Sequence, residues 1–194
     1  MSDTIVQASI NEPTFELLDI YTYEFYDIKE YNKFVSNIKR LVRSTLEYST
    51  WVSFIKHEKN LCQYTHESTT ALTVDLHHHP YSMENIVKIV LAKQLAVNSK
   101  TTTIDVVKEV LQLHYDNKVG YVLLIKSLHE KFHNGYLKIP IEIVNGKWKK
   151  FEEEYLPYIS NDIMQTVNKY RNITLQNCSP IKWDKDFLIY DEED

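Results

Sequence analysis

The sequence predicts an α+β fold in a single domain, and three observations predict it. Over several long segments apolar residues recur every third or fourth position, the period of a buried helix face. Two short runs, 71–76 and 120–125, are instead rich in aliphatic and β-branched residues between breakers, the pattern of strands. Glycine is scarce, 3 residues with 5 prolines in a chain of 194, which disfavours both flexible linkers and an all-β protein full of tight turns.

Bulk properties narrow the class. The length suits one domain with a substantial core. The net charge is −5, partly from the acidic end Tyr190-Asp191-Glu192-Glu193-Asp194, so overall electrostatics oppose polyanion binding and leave it to a local patch. Cys62 and Cys178 form no CxxC pair, which excludes a four-thiolate zinc site; both are expected reduced. The start, Met1-Ser2-Asp3-Thr4, lacks the basic-then-apolar pattern of a signal peptide. No apolar run approaches the roughly 20 residues that span a bilayer. A cytoplasmic protein without a membrane partner is expected. No glycine-rich phosphate loop, nucleophile elbow or dinucleotide fingerprint calls for a small-molecule cofactor.

Taken in order, residues 1–12 read as loose, and 15–25 fit either a strand or a short helix. Asp27 is a helix N-cap, with Glu30 as its capping-box partner. Tyr31, Phe34, Val35, Ile38, Leu41 and Val42 then form one helix face. Lys39, Arg40 and Arg43 lie on other faces of this most basic element and are candidate phosphate contacts. A second helix over about 45–59 carries Trp51, Val52, Phe54 and Ile55. In the strand 71–76, alternation sends Leu72, Val74 and Leu76 to the core. Thr73, Asp75, His77 and His79 face the other side, with His78 opposite them or at the bend. Pro80 ends the strand, and Ser82 caps a helix over 83–96. After a break at 98–102, a helix from Thr102 or Thr103 runs to His114, read as a surface or packing residue. It ends by Asn117 and Gly120. Past the strand 120–125, Ser127 caps a short helix holding His129, Phe132 and His133, closed by Asn134-Gly135. Residues 136–144 alternate as a third strand interrupted at Pro140, and Asn145-Gly146 is a turn. Helices over 148–158 and 161–170 follow, and 185–194 reads as loose.

The chemistry concentrates in histidines. Three of the eight stand in Leu76-His77-His78-His79-Pro80, and His129 and His133, four apart, share a helix face. A divalent ion needs neutral imidazole nitrogens or carboxylate oxygens converging to about 2.0–2.6 Å. His77, His79, His129 and His133 are therefore candidate ligands for magnesium, manganese or zinc.

The segment Val122-Leu123-Leu124-Ile125-Lys126-Ser127-Leu128-His129-Glu130-Lys131-Phe132-His133-Asn134-Gly135, preceded by the His-His strand end, resembles the HNH endonuclease family. It also resembles uncharacterised phage proteins with an HHxP and a later HExxHNG segment. The similarity covers about 30 residues. It implies a ββα-metal (HNH-like) core over about 60–145, with a helical insertion at about 82–117 and flanking helices. One of His77 and His78 would be the general base and its neighbour a metal ligand, with His129 or His133 completing the site. The sequence leaves the choice between His77 and His78 open. The implied function is a divergent, phage-encoded, metal-dependent endonuclease that cleaves nucleic-acid phosphodiesters, DNA foremost, in the host cytoplasm. The departures are definite. The family's middle Asn falls at Gly120, its zinc-knuckle cysteines at Ile125 and Leu128, and 50 residues separate His79 from His129. They imply a second reading: a catalytically inactive HNH-like accessory protein that binds a host or phage protein, or nucleic acid.

Overall fold

The computed structural model describes residues 19–20, 27–66, 68, 73–98 and 101–178. Ala71, Leu72, most of 15–25 and the expected loose ends lie outside these. In chain order the elements are β1 (Asp19–Ile20), α1 (Ile28–Ser44), α2 (Leu46–Lys59), β2 (Val74–His78), α3 (Met83–Val97), β3 (Thr101–Thr102), α4 (Thr103–Tyr115), β4 (Tyr121–Ile125), α5 (Lys126–His133), α6 (Trp148–Tyr155) and α7 (Asn161–Arg171). The architecture is mixed α+β, with seven helices among the described residues and two small antiparallel ribbons, β1–β3 and β2–β4.

The β2–β4 ribbon positions everything that follows. Its register pairs Val74 with Ile125 and His78 with Tyr121, so the strands match end to end. The connection between them holds α3, β3 and α4, where a helical insertion was expected. Because α5 starts at Lys126, directly after Ile125, its first turns fold back over β2. Leu128, fully buried, pins it there. The result is a strand–strand–helix unit with a long helical excursion between its strands.

Each helix follows from its sequence. Asp27 caps α1 by accepting from the Lys29 amide, 2.8 Å, without the reciprocal Glu30 bond expected of a capping box. α1 buries Val35, Ile38 and Val42 on one stripe and leaves its charges outside. α3 is apolar nearly all round because α1, α4 and α6 surround it; Ile86, Val87, Ile89, Val90 and Leu91 are all fully buried. Each such side chain contributes roughly 1.5–3 kcal/mol of burial. Thr102 and Asp105 form a full capping box on α4. Cys62 is buried and Cys178 half-buried, both as free thiols. Among the described residues no helix is long and apolar enough to cross a membrane.

Two expected features differ. Ser127 is not an N-cap: β4 passes straight into α5 with Ile125 at the cap and no capping side chain. The third strand over 136–144 does not form. Leu137 and Ile139 are buried in irregular chain, and a 3-10 turn, Ile141–Ile143, follows Pro140. The Ile141 amide donates to the Ile173 carbonyl, 2.9 Å, instead of to a neighbouring strand. Among the described residues the segment forms no bridge, and the one nearby joins Tyr121 to Asn145, just past its end.

Candidate metal centre

Strand alternation splits the histidines of β2 between two environments. Asp75 and His77 face α5, and His78 faces α2 and α4. On the α5 side, His77 Nδ1 lies 3.1 Å from His129 Nε2, and His133 Nε2 lies 3.0 Å from the same atom. His129 Nδ1 donates to Asp75 Oδ2 at 3.2 Å. That bond fixes the tautomer, placing the lone pair of neutral His129 on Nε2, where the other two rings converge. The potential ligand atoms of His77, His129 and His133 all lie within 4.8 Å of one another.

This donor set fits a transition-metal ion. A tetrahedral ion with bonds of about 2.0–2.1 Å to nitrogen spaces its ligand atoms about 3.3 Å apart, close to the separations found. A carboxylate on the far nitrogen of a ligating imidazole is the usual outer support of such a site. Three imidazoles suit zinc, copper, iron or nickel far better than magnesium, which takes oxygen ligands. His77 is pushed down to about 3 by burial, then by His129, His79 and His133, so it is neutral as ligation requires. His77 and His129 are half-buried while His133 is exposed, which leaves one side open to solvent.

The fourth expected ligand, His79, is not brought into this group. Its ring centroid is 6.3 Å from that of His77, and it packs on Tyr170 at 4.5 Å and Phe132 at 5.8 Å. Its Nε2 is buried without a hydrogen-bond partner, and burial pushes its pKa down to about 4. His78, expected as a base or its neighbour, lies on the opposite face in the core, 3.0 Å from His114 by their Nε2 atoms. His114 Nδ1 donates to the Val110 carbonyl at 2.6 Å, so a neutral His114 accepts from His78 Nε2–H. Trp51 closes this pair from above, its ring edge-on to His114 at 4.8 Å. Of the surface and packing roles read for His114, packing is the one it has, since the residue is fully buried. Asp75 stands on the expected face, and its two-residue spacing from His77 is the sequence signal for its place behind His129. Nothing in the sequence joined His114 to His78.

The buried pair makes stability pH-dependent. Burial holds His114 down to about 4 against an ordinary 6.5, and His78 well below its ordinary value. The unfolded chain takes up these protons below pH 6.5 while the folded chain does not until about pH 4. Stability is therefore full above pH 6.5 and falls as pH drops towards 4. His114 alone accounts for up to about 3 kcal/mol of that fall. Urea midpoints at pH 7 and pH 4.5 should differ accordingly, and equal midpoints would contradict neutral buried imidazoles.

The basic residues of α1 are partly occupied. Lys39 pairs with Glu84 at 2.8 Å and Arg40 bonds Asn37 at 3.4 Å, while Arg43 lies beside the Tyr48 hydroxyl.

Neither a search of curated proteins nor one of solved structures returned a match. The family model of bacteriophage G278-like virion proteins matches residues 4–193. That supports the phage side of the expected resemblance; nothing in the comparisons shows HNH membership. With its family model matched over nearly the whole chain, this protein belongs to the bacteriophage G278-like virion protein family.

Proposed function

We propose that this virion-family protein is a divalent-metal-dependent phosphodiesterase acting on nucleic acid, built on a divergent HNH-like strand–strand–helix unit. The observation that carries the reading is the convergence of His77, His129 and His133, with Asp75 behind His129 and one side open. An ion held there would polarise a phosphate oxygen and lower the pKa of a water at the open position. His77 and His129 supply ring nitrogens from a rigid ribbon and helix. Asp75 holds the His129 ring in register, and Phe132, 4.5 Å from His77 by ring centroids, walls the inner side. His78 has no path to a substrate from its buried place, so this mechanism assigns His77 to ligation and needs no separate imidazole base.

The test is nicking of supercoiled plasmid by the purified chain with zinc, manganese or magnesium. We expect cleavage with zinc or manganese that EDTA and His133→Ala both remove. Absence of cleavage of plasmid, single-stranded DNA and RNA by fully loaded protein would overturn the catalytic reading. It would favour the second one, an inactive accessory protein whose ion is structural. Gly120, at the position of the family's Asn, and the burial of His78 support that alternative.

A further inference from the structure

A second charged surface lies one layer of side chains from the histidines. Tyr170 of α7 touches His79, and the next residue, Arg171, sits with its Cζ 5.5 Å from the Trp148 ring at the start of α6. There the chain reads Gly146-Lys147-Trp148-Lys149-Lys150. All three lysines are exposed, Trp148 is 6% exposed, and Lys149 Nζ covers its ring at 5.6 Å. A cleft of about 890 Å³ runs beside them.

These lysines differ from four others of the fold. Lys39, Lys88, Lys93 and Lys118 each hold a carboxylate. Among the described residues, no carboxylate lies within ion-pair distance of Lys147, Lys149 or Lys150. Glu142, Glu152 and Glu153 line the same cleft, which with Arg171 leaves its cations ahead of its acids by four to three. Glu152 is engaged by Arg171 and the Tyr81 hydroxyl, Glu142 accepts from the Leu175 amide, and the exposed Glu153 lies four residues on from Lys149. The first turn of α6 has no acidic residue, so the lysines stand at the positive end of the helix, an unfavourable place for them. Charge unpaired within the fold and concentrated against the local dipole suits an external polyanion.

We propose that Lys147, Lys149 and Lys150 form a contact surface for the phosphate backbone of nucleic acid. Because Trp148 is sealed beneath Lys149 and Arg171, no ring is free to stack on a base. Recognition is by charge and does not depend on sequence. The surface shares with the metal reading only its polyanionic partner. It is tested without metal, so either can fail alone.

The experiment is fluorescence anisotropy of a labelled 25-base-pair duplex with the full chain in EDTA, between 50 and 200 mM NaCl. For Lys149→Gln/Lys150→Gln we expect affinity reduced about tenfold or more, with the slope of log K against log salt shallower by about 1.8. Lys39→Gln/Arg40→Gln should stay within about twofold of the parent. An unchanged slope, no binding by the parent protein at 50 mM NaCl, or an equal loss in the α1 variant would overturn the assignment. Equal affinity for polyglutamate of the same charge would also overturn it, by pointing to an acidic protein partner.

Discussion

Replacing His129 by alanine is expected to abolish stoichiometric zinc binding while leaving the protein folded. His129 Nε2 is the vertex of the cluster, 3.1 Å from His77 and 3.0 Å from His133, so its loss leaves two ligands with nothing between them. It also strips Asp75 of the group it orients. Titration calorimetry should show one equivalent bound by the parent protein and at least a hundredfold weaker binding in the variant. Asp75→Asn, which keeps all three nitrogens and weakens only their support, should lose about 10–100-fold. Zinc at a hundred times its Kd should add about 2.7 kcal/mol to the stability of the parent protein and nothing to that of His129→Ala. Without metal the variant should lose only the packing of one half-buried ring and its bond to Asp75, about 1 kcal/mol. One equivalent bound with unchanged affinity in His129→Ala would place the ion elsewhere.

Much of this arrangement was legible in the sequence, and what was missed has physical causes. The helix period gave α1, α2, α3, α4, α6 and α7 close to their observed limits. In β2, period-two alternation put Asp75 and His77 on one face and left His78 opposite or at the bend; it is found opposite. The meeting of His77 with His129, 52 residues apart, depended on strand register and on β4 flowing into α5 without a loop, neither of which spacing reveals. Alternation misled at 136–144. Leu137 and Ile139 do point inwards, but Pro140 offers no amide, and the next amide is taken by the Ile173 carbonyl just past α7. His79 shared the strand parity of His77 and still missed the cluster, because the strand stops at His78 and Tyr170 receives the ring. The base expected at His77 or His78 was a reading by resemblance, and burial against His114 takes His78 away from solvent.

Gly120→Asn, the substitution that would install the residue typical of HNH proteins, is expected to disrupt the fold. A Cβ at this position would lie 2.1 Å from the His79 carbonyl oxygen and 3.1 Å from both the His79 carbonyl carbon and the Trp148 Cβ. None of these is the loose end of a flexible side chain. The His79 amide donates to the Gly120 carbonyl at 3.0 Å, so the two backbones are locked together at the end of the ribbon and cannot part without losing that bond. The clash belongs to the Cβ, so Gly120→Ala should suffer nearly as much. We expect a loss of more than about 4 kcal/mol for either, in the range reserved for gross steric or packing faults. Gly135→Ala is the contrasting case. Its φ of +77° strains any side chain, but nothing lies within 4 Å of the new Cβ, so a cost of about 1 kcal/mol is expected. Urea unfolding should separate both Gly120 variants from Gly135→Ala, and a Gly120→Ala protein within about 1 kcal/mol of the parent would refute the close approach. The ribbon end is thus committed to backbone packing that positions β2, and with it His77. Any catalysis at the histidines must manage without a side chain at residue 120, which is why the proposed chemistry rests on the ion and its three nitrogens instead of on an oriented base.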